Sequence, residues 1–265
     1  MEYIYKQANT IVAKAFKLAS RKLGKPTRPL SKFSDHFSML DERGTPYLVL
    51  NLKDGKIPIY GNLDKIWQYQ NDFNLAKFMF SIHRSFVFKF ASWGKATYDM
   101  LNDATMDMAP LSQTLKVTIP VKSGKDYVWV MQSCQALQVD DKNQLYSHIN
   151  TYQVIRSYNK WENAMPFSEV WINGAKNEKW TQRLHRNIVA LSPLETKIAQ
   201  VCVDADINRA GDIAQALDLN IHQVYNANKG IKNKINHAFC QDFSSAREAA
   251  MYVHRMGFLR RSVTN

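Results

Sequence analysis

A change in hydrophobic period near the middle of the chain constrains the fold most. In the run TLKVTIPV, residues 114–121, apolar side chains alternate with Lys116, Thr118 and Pro120. A period of two gives a β-strand one apolar face. The turn SGKD, the run YVWVMQSCQALQV, the turn VDDKNQ and the run LYSHINTYQVI follow in that order. Residues 112–157 are therefore predicted to form three consecutive antiparallel strands.

A hairpin and helices are predicted around these strands. The run PYLVLNLKDGKIPIYGN, residues 46–62, has β-favouring residues on both sides of an Asp-Gly turn, which is typical of a hairpin. Residues 2–23 and 63–102 repeat apolar side chains every three or four positions and are predicted to be helical. The run GKPTRP at 24–29 ends the first of these helices. Residues 161–190 are predicted to form helix or loop.

The positive charge is concentrated at the two ends of the chain. Of a formal net charge of +12, residues 1–32 carry +7, residues 33–182 carry +1 and residues 183–265 carry +4. Basic ends on either side of a nearly neutral middle are typical of a chain that binds a polyanion. A basic surface that only keeps the protein in solution has the same charge, so a motif must separate the two interpretations.

The sequence gives no support for a membrane protein, a disulfide framework or an enzyme. No apolar run approaches the roughly 20 residues that span a bilayer, and the N-terminal run lacks the hydrophobic segment of a signal peptide. Cys134, Cys202 and Cys240 lack zinc or disulfide spacing, so we expect reduced, structural thiols in a cytoplasmic protein. Because no nucleotide-binding glycine loop, nucleophile elbow or HExxH run occurs, neither catalytic residues nor a metal site is predicted. Asp140 and Asp141 are expected to be turn residues.

Three helices are predicted in the last third of the chain. The run LSPLETKIAQVCV, residues 191–203, opens with Ser-Pro-x-Glu, which is typical of a helix start with Pro193 in the first turn. The run DIAQALDL at 212–219 predicts a second helix, and Asn220 is well placed to cap a third. Residues at three- and four-residue spacings give the third helix one apolar face, and these are Val224, Ala227, Ile231 and Ile235.

The polar face of the third helix contains no acidic residue. It carries imidazole, phenol, amide and ammonium groups, from His222, Tyr225, Asn226, Lys229, Lys232 and Asn233. Such groups suit base edges and phosphates, whereas carboxylates would be repelled by the DNA backbone. Two short helices joined by a tight turn, the second with an acid-free polar face, predict a helix-turn-helix.

This segment resembles the LuxR/GerE-type helix-turn-helix regulators. The family's Leu-Ser/Thr-x-x-Glu opening is matched by Leu191, Ser192 and Glu195. Its later apolar and basic spacings are kept by Ile213, Ala214, Leu217, Leu219, Val224, Ile231, Lys234 and Ile235, with Asn220 in a Ser position. The tail SSAREAAMYVHRMGFL, residues 244–259, resembles the family's fourth helix.

The chain departs from the family pattern in three places. Residues 223–227 read QVYNA where the family has Thr-Val-Lys-x-His, and Gly230 stands in place of an Asn. The link NHAFCQDFSS before the fourth helix is longer than usual. Region 4 of sigma factors shares the Ile-Ala-x-x-Leu pattern and is the nearest rival, although the tail and the missing region 2 argue against it.

The resemblance implies roles for individual residues. Tyr225, Asn226 and Lys229 fall at positions that meet bases in the major groove, and His222 lies on the same face. Gln223, Lys232 and Lys234 fall at positions that meet phosphates. The alternative is that Tyr225 covers the core and Lys229 is merely solvated. A dimer is expected to use a small-residue face of the last helix, formed by Ala246, Ala249, Ala250 and Val253.

Residues 35–157 resemble a PAS sensor domain, because a hairpin, short helices and a three-stranded meander follow one another. Such a domain binds a small-molecule ligand or a protein partner. Residues 78–93 are rich in aromatic side chains, which could line the pocket of such a domain or fill its core. These residues are Phe78, Phe80, Phe86, Phe88, Phe90 and Trp93. His36 and His83 could ligate heme, but lone histidines more often serve a surface or core, so the cofactor stays unknown. No Cys precedes Cys134, which argues against flavin photochemistry.

Together these patterns predict an α+β protein in which a PAS-like antiparallel sheet with helices precedes an all-α, four-helix helix-turn-helix domain. The expected parts are a basic N-terminal helix and linker at 1–34, the sensor at 35–160, a helical connector at 161–190 and the DNA-binding domain at 191–265. The expected function is that of a sequence-specific transcriptional regulator. Its expected partners are double-stranded DNA, a second copy of the chain, RNA polymerase and a ligand or protein at the sensor. The alternatives are a non-enzymatic protein-interaction scaffold and a factor similar to sigma region 4.

Overall fold

The computed structural model describes residues 10, 23–67, 73–101, 109–158, 168–204, 207, 209–239, 242–255 and 258–259. Contacts within the chain divide it into two compact units, Met1–Thr181 and Gln182–Asn265. The predicted helix at 2–23 lies outside the described residues except for Thr10, which is helical, and Leu23. Within the described ranges, no helix is both long enough and apolar enough to cross a membrane.

The first unit contains a seven-stranded antiparallel sheet. Its strands are β1 (Tyr47–Asn51), β2 (Ile59–Gly61), β3 (Gln113–Ser123), β4 (Asp126–Val139), β5 (Leu145–Ser157), β6 (Ser168–Ile172) and β7 (Ala175–Lys176). They lie in the order β2-β1-β5-β4-β3-β6-β7. The predicted hairpin and the predicted three-stranded meander are both confirmed. The hairpin turn contains Gly55 with a φ of +68°, a left-handed conformation that glycine adopts without a steric penalty.

Proline 120 occupies a place in β3 where its missing N–H costs little. Residues 113–117 of β3 pair with β6, and Pro120 lies beyond that pairing. On its other side, Pro120 faces Trp129 of β4. The Pro120 carbonyl still accepts a hydrogen bond of 2.8 Å from the backbone N–H of His83. A proline is therefore tolerated here inside an eleven-residue strand.

Both faces of the sheet are covered by helices. On one face, a 3-10 turn at Leu30–Phe33 and α1 (Ser34–Glu42) pack over a buried cluster of Phe33, Phe37, Leu40, Tyr47, Val49, Leu137 and Ile149. The other face is formed by the alternate residues of the same strands, and faces α2 (Leu75–Ser81) and α3 (Val87–Leu101). Because strand side chains alternate, adjacent residues such as Leu48 and Val49 serve opposite layers.

The prediction of helix or loop for 161–190 holds only in part. Residues 168–172 form β6, which pairs with β3 from Gln113↔Ile172 to Val117↔Ser168, and β7 follows. The helix begins later, as α4 (Glu178–Val189). A five-residue strand contains too few alternations to be recognised from sequence, and its partner lies about 55 residues earlier in the chain.

The second unit is helical, as predicted. After α4 it contains α5 (Pro193–Asp204), α6 (Ala210–Leu217), α7 (Ile221–Phe239) and α8 (Ala246–Arg255). Eight α-helices and one antiparallel sheet among the described residues make the chain an α+β protein, which confirms the predicted class at that level.

Candidate nucleic-acid interface

A reciprocal capping box begins α5. The Ser192 N–H donates to Glu195 Oε2 at 2.6 Å, and the Glu195 N–H donates to Ser192 Oγ at 3.2 Å. Pro193 takes the first helical position, where a backbone N–H would have no partner within the helix. The Leu-Ser-x-x-Glu run therefore marks a helix start because two side chains satisfy two terminal donors.

Glu195 also ties α5 to α7. Its Oε2 accepts a hydrogen bond of 2.6 Å from Lys234 Nζ on α7. Burial alone would raise the pKa of Glu195, but the hydrogen bonds from Lys234 and Ser192 outweigh burial and lower that pKa. At Gly230, an added Cβ would overlap Glu195 Oε1. The glycine that departs from the family pattern is thus the residue over which this buried carboxylate lies.

A tight turn joins α6 to α7. Asp218 ends α6 in a left-handed conformation with a φ of +51°, and the Leu219 N–H donates to the Ala214 carbonyl at 2.9 Å. Asn220 Oδ1 accepts from the His222 N–H at 2.8 Å, which confirms Asn220 as the cap of α7. In return, Gln223 Oε1 accepts from the Asn220 N–H at 3.0 Å. Gln223, which is predicted to contact phosphate, therefore also stabilises the turn through its Oε1. Its amide nitrogen can still donate a hydrogen bond.

The apolar and polar faces of α7 separate as predicted. Val224, Ala227, Ile231 and Ile235 are all buried. Tyr225 is 57% exposed, which rules out the alternative that it covers the core. His222, Gln223, Asn226 and Lys229 are exposed as well, while Lys232 and Lys234 are half-buried. The helix contains no acidic residue along its whole length.

The predicted contact residues do not all lie in one line. At about 100° per residue, His222, Tyr225, Asn226 and Lys232 fall within about 60° of Lys229 around the helix axis. Gln223 and Lys234 lie about 120° and 140° from Lys229, on the flank that faces Glu195. The structure therefore gathers five of the seven predicted residues on one exposed face and places the other two beside it.

An exposed apolar residue at the edge of this face, about 80° from Lys229 around the helix axis, was not predicted from the sequence. Ile221, the first residue of α7, is 39% exposed and lies one turn before Tyr225. Ile221 lies three residues before Val224, so it also continues the spacing of the buried face, and only its four-residue spacing from Tyr225 indicated an apolar strip. Together they add an apolar strip to a face that is otherwise polar and basic.

The small-residue face of α8 is internal. Ala246, Ala249, Ala250 and Val253 are all buried, and α8 packs against α5 and α7. The prediction that this face forms a dimer contact is therefore wrong. Small side chains occur here because they allow helices of the same unit to approach closely.

Of the aromatic run that was expected either to line a pocket or to fill the core of the first unit, three residues line a cavity. Phe78, Phe90 and Trp93 line a cavity of about 150 Å³. By contrast, Phe86 packs edge-on against Trp129 with ring centroids 5.3 Å apart, and Phe80 is exposed. The side chain of Phe88 lies outside the described part of the structure.

Asp140 lies in a turn, and His83 lies beside Ser85. Asp140 Oδ1 accepts from the N–H groups of Lys142 and Gln144 at 2.9 and 2.8 Å, which confirms it as a turn residue. His83 Nδ1 lies 2.7 Å from Ser85 Oγ, and burial, with Arg84 nearby, lowers the pKa of His83. Among the described residues, no three His, Cys, Asp or Glu side chains are grouped to hold a metal ion.

Neither a protein-family profile nor a curated protein matches the chain in sequence. Among solved structures, the chain is similar to a phage VqmA in complex with DPO, at 10% identity and a TM-score of 0.34, over 88% of this chain and 93% of that one. It is similar to the Vibrio cholerae VqmA dimer without target DNA, a LuxR-type receptor, at 9% identity and a TM-score of 0.33, over 84% and 88% of the two chains. A VqmA–ligand–DNA complex gives 8% identity and a TM-score of 0.31, over 85% and 89%. Values this low leave the assignment of function to the residues of the chain itself.

Proposed function

We propose that the chain is a sequence-specific DNA-binding transcriptional regulator whose second unit inserts α7 into the major groove of double-stranded DNA. The observation that carries the proposal is the exposed, acid-free face of α7, which follows a tight turn after α6. A solvated helix usually mixes acidic and basic side chains, whereas a helix that approaches phosphates excludes carboxylates.

Residues of this face take different roles in the proposal. Tyr225, Asn226 and Lys229 contact base edges, because an amide or ammonium group can read purine edges in the major groove. His222 lies between these residues and the DNA backbone. Lys232 contacts a phosphate. Gln223 and Lys234, on the flank beside Glu195, contact phosphate while they also hold the capping turn and the α5–α7 ion pair.

In the proposal, the other segments of the chain correspond to those of a LuxR-type regulator. Residues 1–34 form a basic helix and linker, residues 35–176 form a PAS-like sensor that includes β6 and β7, α4 forms the connector, and residues 191–265 bind DNA. The sensor binds a small molecule or a protein and thereby sets DNA affinity. The regulator works in the cytoplasm as a homodimer, through a face other than Ala246 and its neighbours, and contacts RNA polymerase.

One observation favours a second candidate function. Ile221 and Tyr225 expose an apolar strip on α7, and apolar strips also bind partner proteins. In that case the chain is a non-enzymatic scaffold whose helical unit docks a protein. The sigma-region-4 alternative keeps the same helix-turn-helix and predicts DNA binding only as part of a polymerase complex.

A salt titration on duplex DNA separates the candidates. If phosphate contacts dominate, log affinity falls linearly with log salt, with a slope of about −0.9 for each phosphate neutralised. Selection of bound sequences from a random duplex pool then gives the preferred site and its symmetry, with half-sites about 10 base pairs apart or a multiple of that for a dimer. Affinity that is independent of salt, or a pool that stays random after selection, contradicts the proposal.

A further inference from the structure

A cluster of aromatic rings lies at the end of the sheet that carries the β3–β4 turn, outside the cavity of the first unit. Tyr127 and Trp129 alternate along β4 with residues such as Gln132 that line the cavity, so they lie on the opposite face of the sheet. The His83 ring packs edge-on against Tyr127, with centroids 4.8 Å apart, and lies 4.9 Å from the Tyr158 ring. Trp129 lies 5.5 Å from Tyr158, so the four rings form one cluster.

Three of these rings reach solvent above a buried one. Trp129 is only 3% exposed, whereas His83, Tyr127 and Tyr158 are half-buried. In an edge-on pair, only one of the two rings has its face covered by the other. The cluster therefore offers an open ring face to a flat molecule from solvent.

The buried ring carries a donor that nothing in the described structure accepts. The indole N–H of Trp129 is buried and has no hydrogen-bond partner among the described residues. Such groups are rare in native proteins, because an unpaired donor loses its water without compensation. By contrast, the buried indole of Trp67 donates to Ser81 Oγ at 2.9 Å. An acceptor on a bound molecule would satisfy the Trp129 donor.

Two cationic side chains share the face of the sheet with these rings. Lys122 is directly opposite Tyr127 in the pairing of β3 with β4, and Arg156 is directly opposite Trp129 in the pairing of β4 with β5. Side chains directly opposite each other in an antiparallel pair lie on the same face, with their Cβ atoms roughly 5 Å apart. Both cations are exposed, so each can reach an anion bound beside the rings.

Positive charge is concentrated around the cluster. Arg84, next to His83, and Lys125, in the β3–β4 turn, are exposed as well. Asp126 alone is acidic in the segments that supply the rings and cations, which are residues 82–86, 118–131 and 152–158. Residues 33–182 as a whole carry a net charge of only +1, so this excess of cations is local. We call the four rings and the four cations the sheet-end patch.

One class of ligand suits both parts of the sheet-end patch. Aromatic side chains stack on nucleobases, and such stacking tolerates every base because every base has a π-face. Lysine and arginine form charge-assisted hydrogen bonds with phosphate. A nucleotide carries a flat ring and a phosphate in one molecule, and its base has acceptors for the Trp129 N–H. An acidic peptide would use the cations alone, and an apolar ring would use the aromatic side chains alone.

We propose that the sheet-end patch binds a nucleotide, either free or as part of a single-stranded nucleic acid. The base stacks on the exposed rings of Tyr127 and Tyr158, and the Trp129 N–H donates to an acceptor of the base. Lys122 and Arg156 pair with the phosphate. The proposal goes beyond DNA binding by α7, because it assigns the first unit a ligand site of its own outside the cavity.

The test uses the full-length protein and three probes that separate base from phosphate. AMP has both, adenosine lacks the phosphate, and ribose 5-phosphate lacks the base. Binding is measured by isothermal titration at low salt, without duplex DNA. We expect AMP to bind at least about tenfold more tightly than either of the others, since stacking of one base contributes about 5- to 150-fold to affinity. Adenosine or ribose 5-phosphate binding as tightly as AMP overturns the proposal.

A single-stranded oligoadenylate of about six nucleotides distinguishes the two sources of the nucleotide. If the patch takes a nucleic-acid strand, the oligonucleotide should bind at least about tenfold more tightly than AMP. If the patch takes a free nucleotide, the two affinities should be similar. No measurable binding of either probe overturns the proposal.

A matched pair of tryptophan variants locates the base. Trp129→Phe removes the unpaired indole N–H of the patch and should weaken AMP binding by about tenfold. Trp93→Phe removes another buried indole N–H without a partner, but Trp93 lines the cavity, so AMP binding should be unchanged. A loss of AMP binding in Trp93→Phe alone would place the nucleotide in the cavity and overturn the proposal.

A matched pair of exposed lysines covers the case in which Trp129→Phe does not fold. Lys122→Gln removes a cation opposite Tyr127 and should weaken AMP binding by about two- to fivefold. Lys142→Gln makes the same change in charge at an exposed position in the β4–β5 turn, at the other end of β4, and should leave AMP binding unchanged. Equal losses in the two variants would show that net charge, not the patch, determines binding, and would contradict the proposal.

Discussion

Gly230 has a packing role in the middle of a long helix, where alanine would ordinarily be preferred. Alanine has the higher helix propensity by about 1 kcal/mol, yet a Cβ here would overlap Glu195 Oε1. Glu195 cannot rotate away freely because Ser192 and Lys234 both hold its Oε2. We therefore predict that Gly230→Ala lowers the free energy of unfolding by about 1–3 kcal/mol, as measured by urea denaturation.

Gly211 supplies the matched control for that substitution. It lies in α6, and a Cβ added there meets no atom within 4 Å. We expect Gly211→Ala to leave stability unchanged or to raise it by up to about 1 kcal/mol. If both alanines act alike, the contact between Gly230 and Glu195 is not what determines the glycine.

His148 makes stability depend on pH. Burial lowers its pKa from 6.5 to about 4 in the folded protein. Its contribution is complete above pH 6.5 and is lost as the pH falls towards 4, because the unfolded chain takes up a proton that the folded chain excludes. The unmodified protein should lose about 3 kcal/mol more than His148→Gln between about pH 7 and about pH 4 in urea unfolding. Parallel pH profiles would contradict this prediction.

At the scale of the element, different residues of α7 should determine the sequence preference of DNA binding and the affinity for DNA of any sequence. We predict that Asn226→Ala and Lys229→Ala each weaken binding to the selected DNA site by about 1–3 kcal/mol and relax its sequence preference. Lys234→Ala should weaken binding to all sequences alike, since Lys234 lies on the flank, and it should also lower stability because it removes the ammonium group that pairs with the buried Glu195 carboxylate. Unchanged sequence preference in all three variants, measured by repeated selection, would place the reading face elsewhere.

The apolar strip of α7 gives a further prediction about DNA. Ile221 and Tyr225 are exposed on the helix whose Asn226 and Lys229 we propose to contact bases, and apolar side chains read the C5 methyl group of thymine. Replacing thymine by deoxyuridine at the sensitive position of the selected site should weaken binding by about 1 kcal/mol. The loss should disappear in Ile221→Ala if that side chain contacts the methyl group. A partner protein on this strip would leave DNA affinity insensitive to both changes.

Elements with a clear internal period were predictable from the sequence, and those that depend on distant partners were not. The meander, the hairpin and α5 to α8 carry their own alternation or caps, as with Asn220 on α7. By contrast, β6 depends on β3, and the Glu195–Lys234 pair joins residues 39 positions apart. The polar cavity wall had a local signal that was missed, since Gln132 and Cys134 on β4, and His148, Asn150 and Tyr152 on β5, occupy alternate positions.

At the scale of the whole molecule, the proposed control of DNA binding by the sensor can be measured by truncation. Deleting residues 1–160, the predicted N-terminal helix and sensor, would leave β6 without its partner β3. The cut belongs after Thr181, where the two compact units meet in the chain. We predict that residues 182–265 bind DNA with an affinity that differs from that of the full chain by about 5- to 150-fold, the usual range of coupling. Equal affinities at matched salt and dimer concentration would argue against regulation.

The pairing of β1 with β5 has a consequence for biosynthesis. Val49 pairs with Ile149, 100 residues further along the chain. At about 5–20 residues per second, β1 waits roughly 5–20 s on the ribosome before its partner emerges. During that interval Leu48, Val49 and Leu50, which are buried in the finished protein, form an unpaired apolar edge open to other nascent chains. We expect the yield of folded protein to depend on chaperones that cover this edge, and to fall when translation is slowed between β2 and β5.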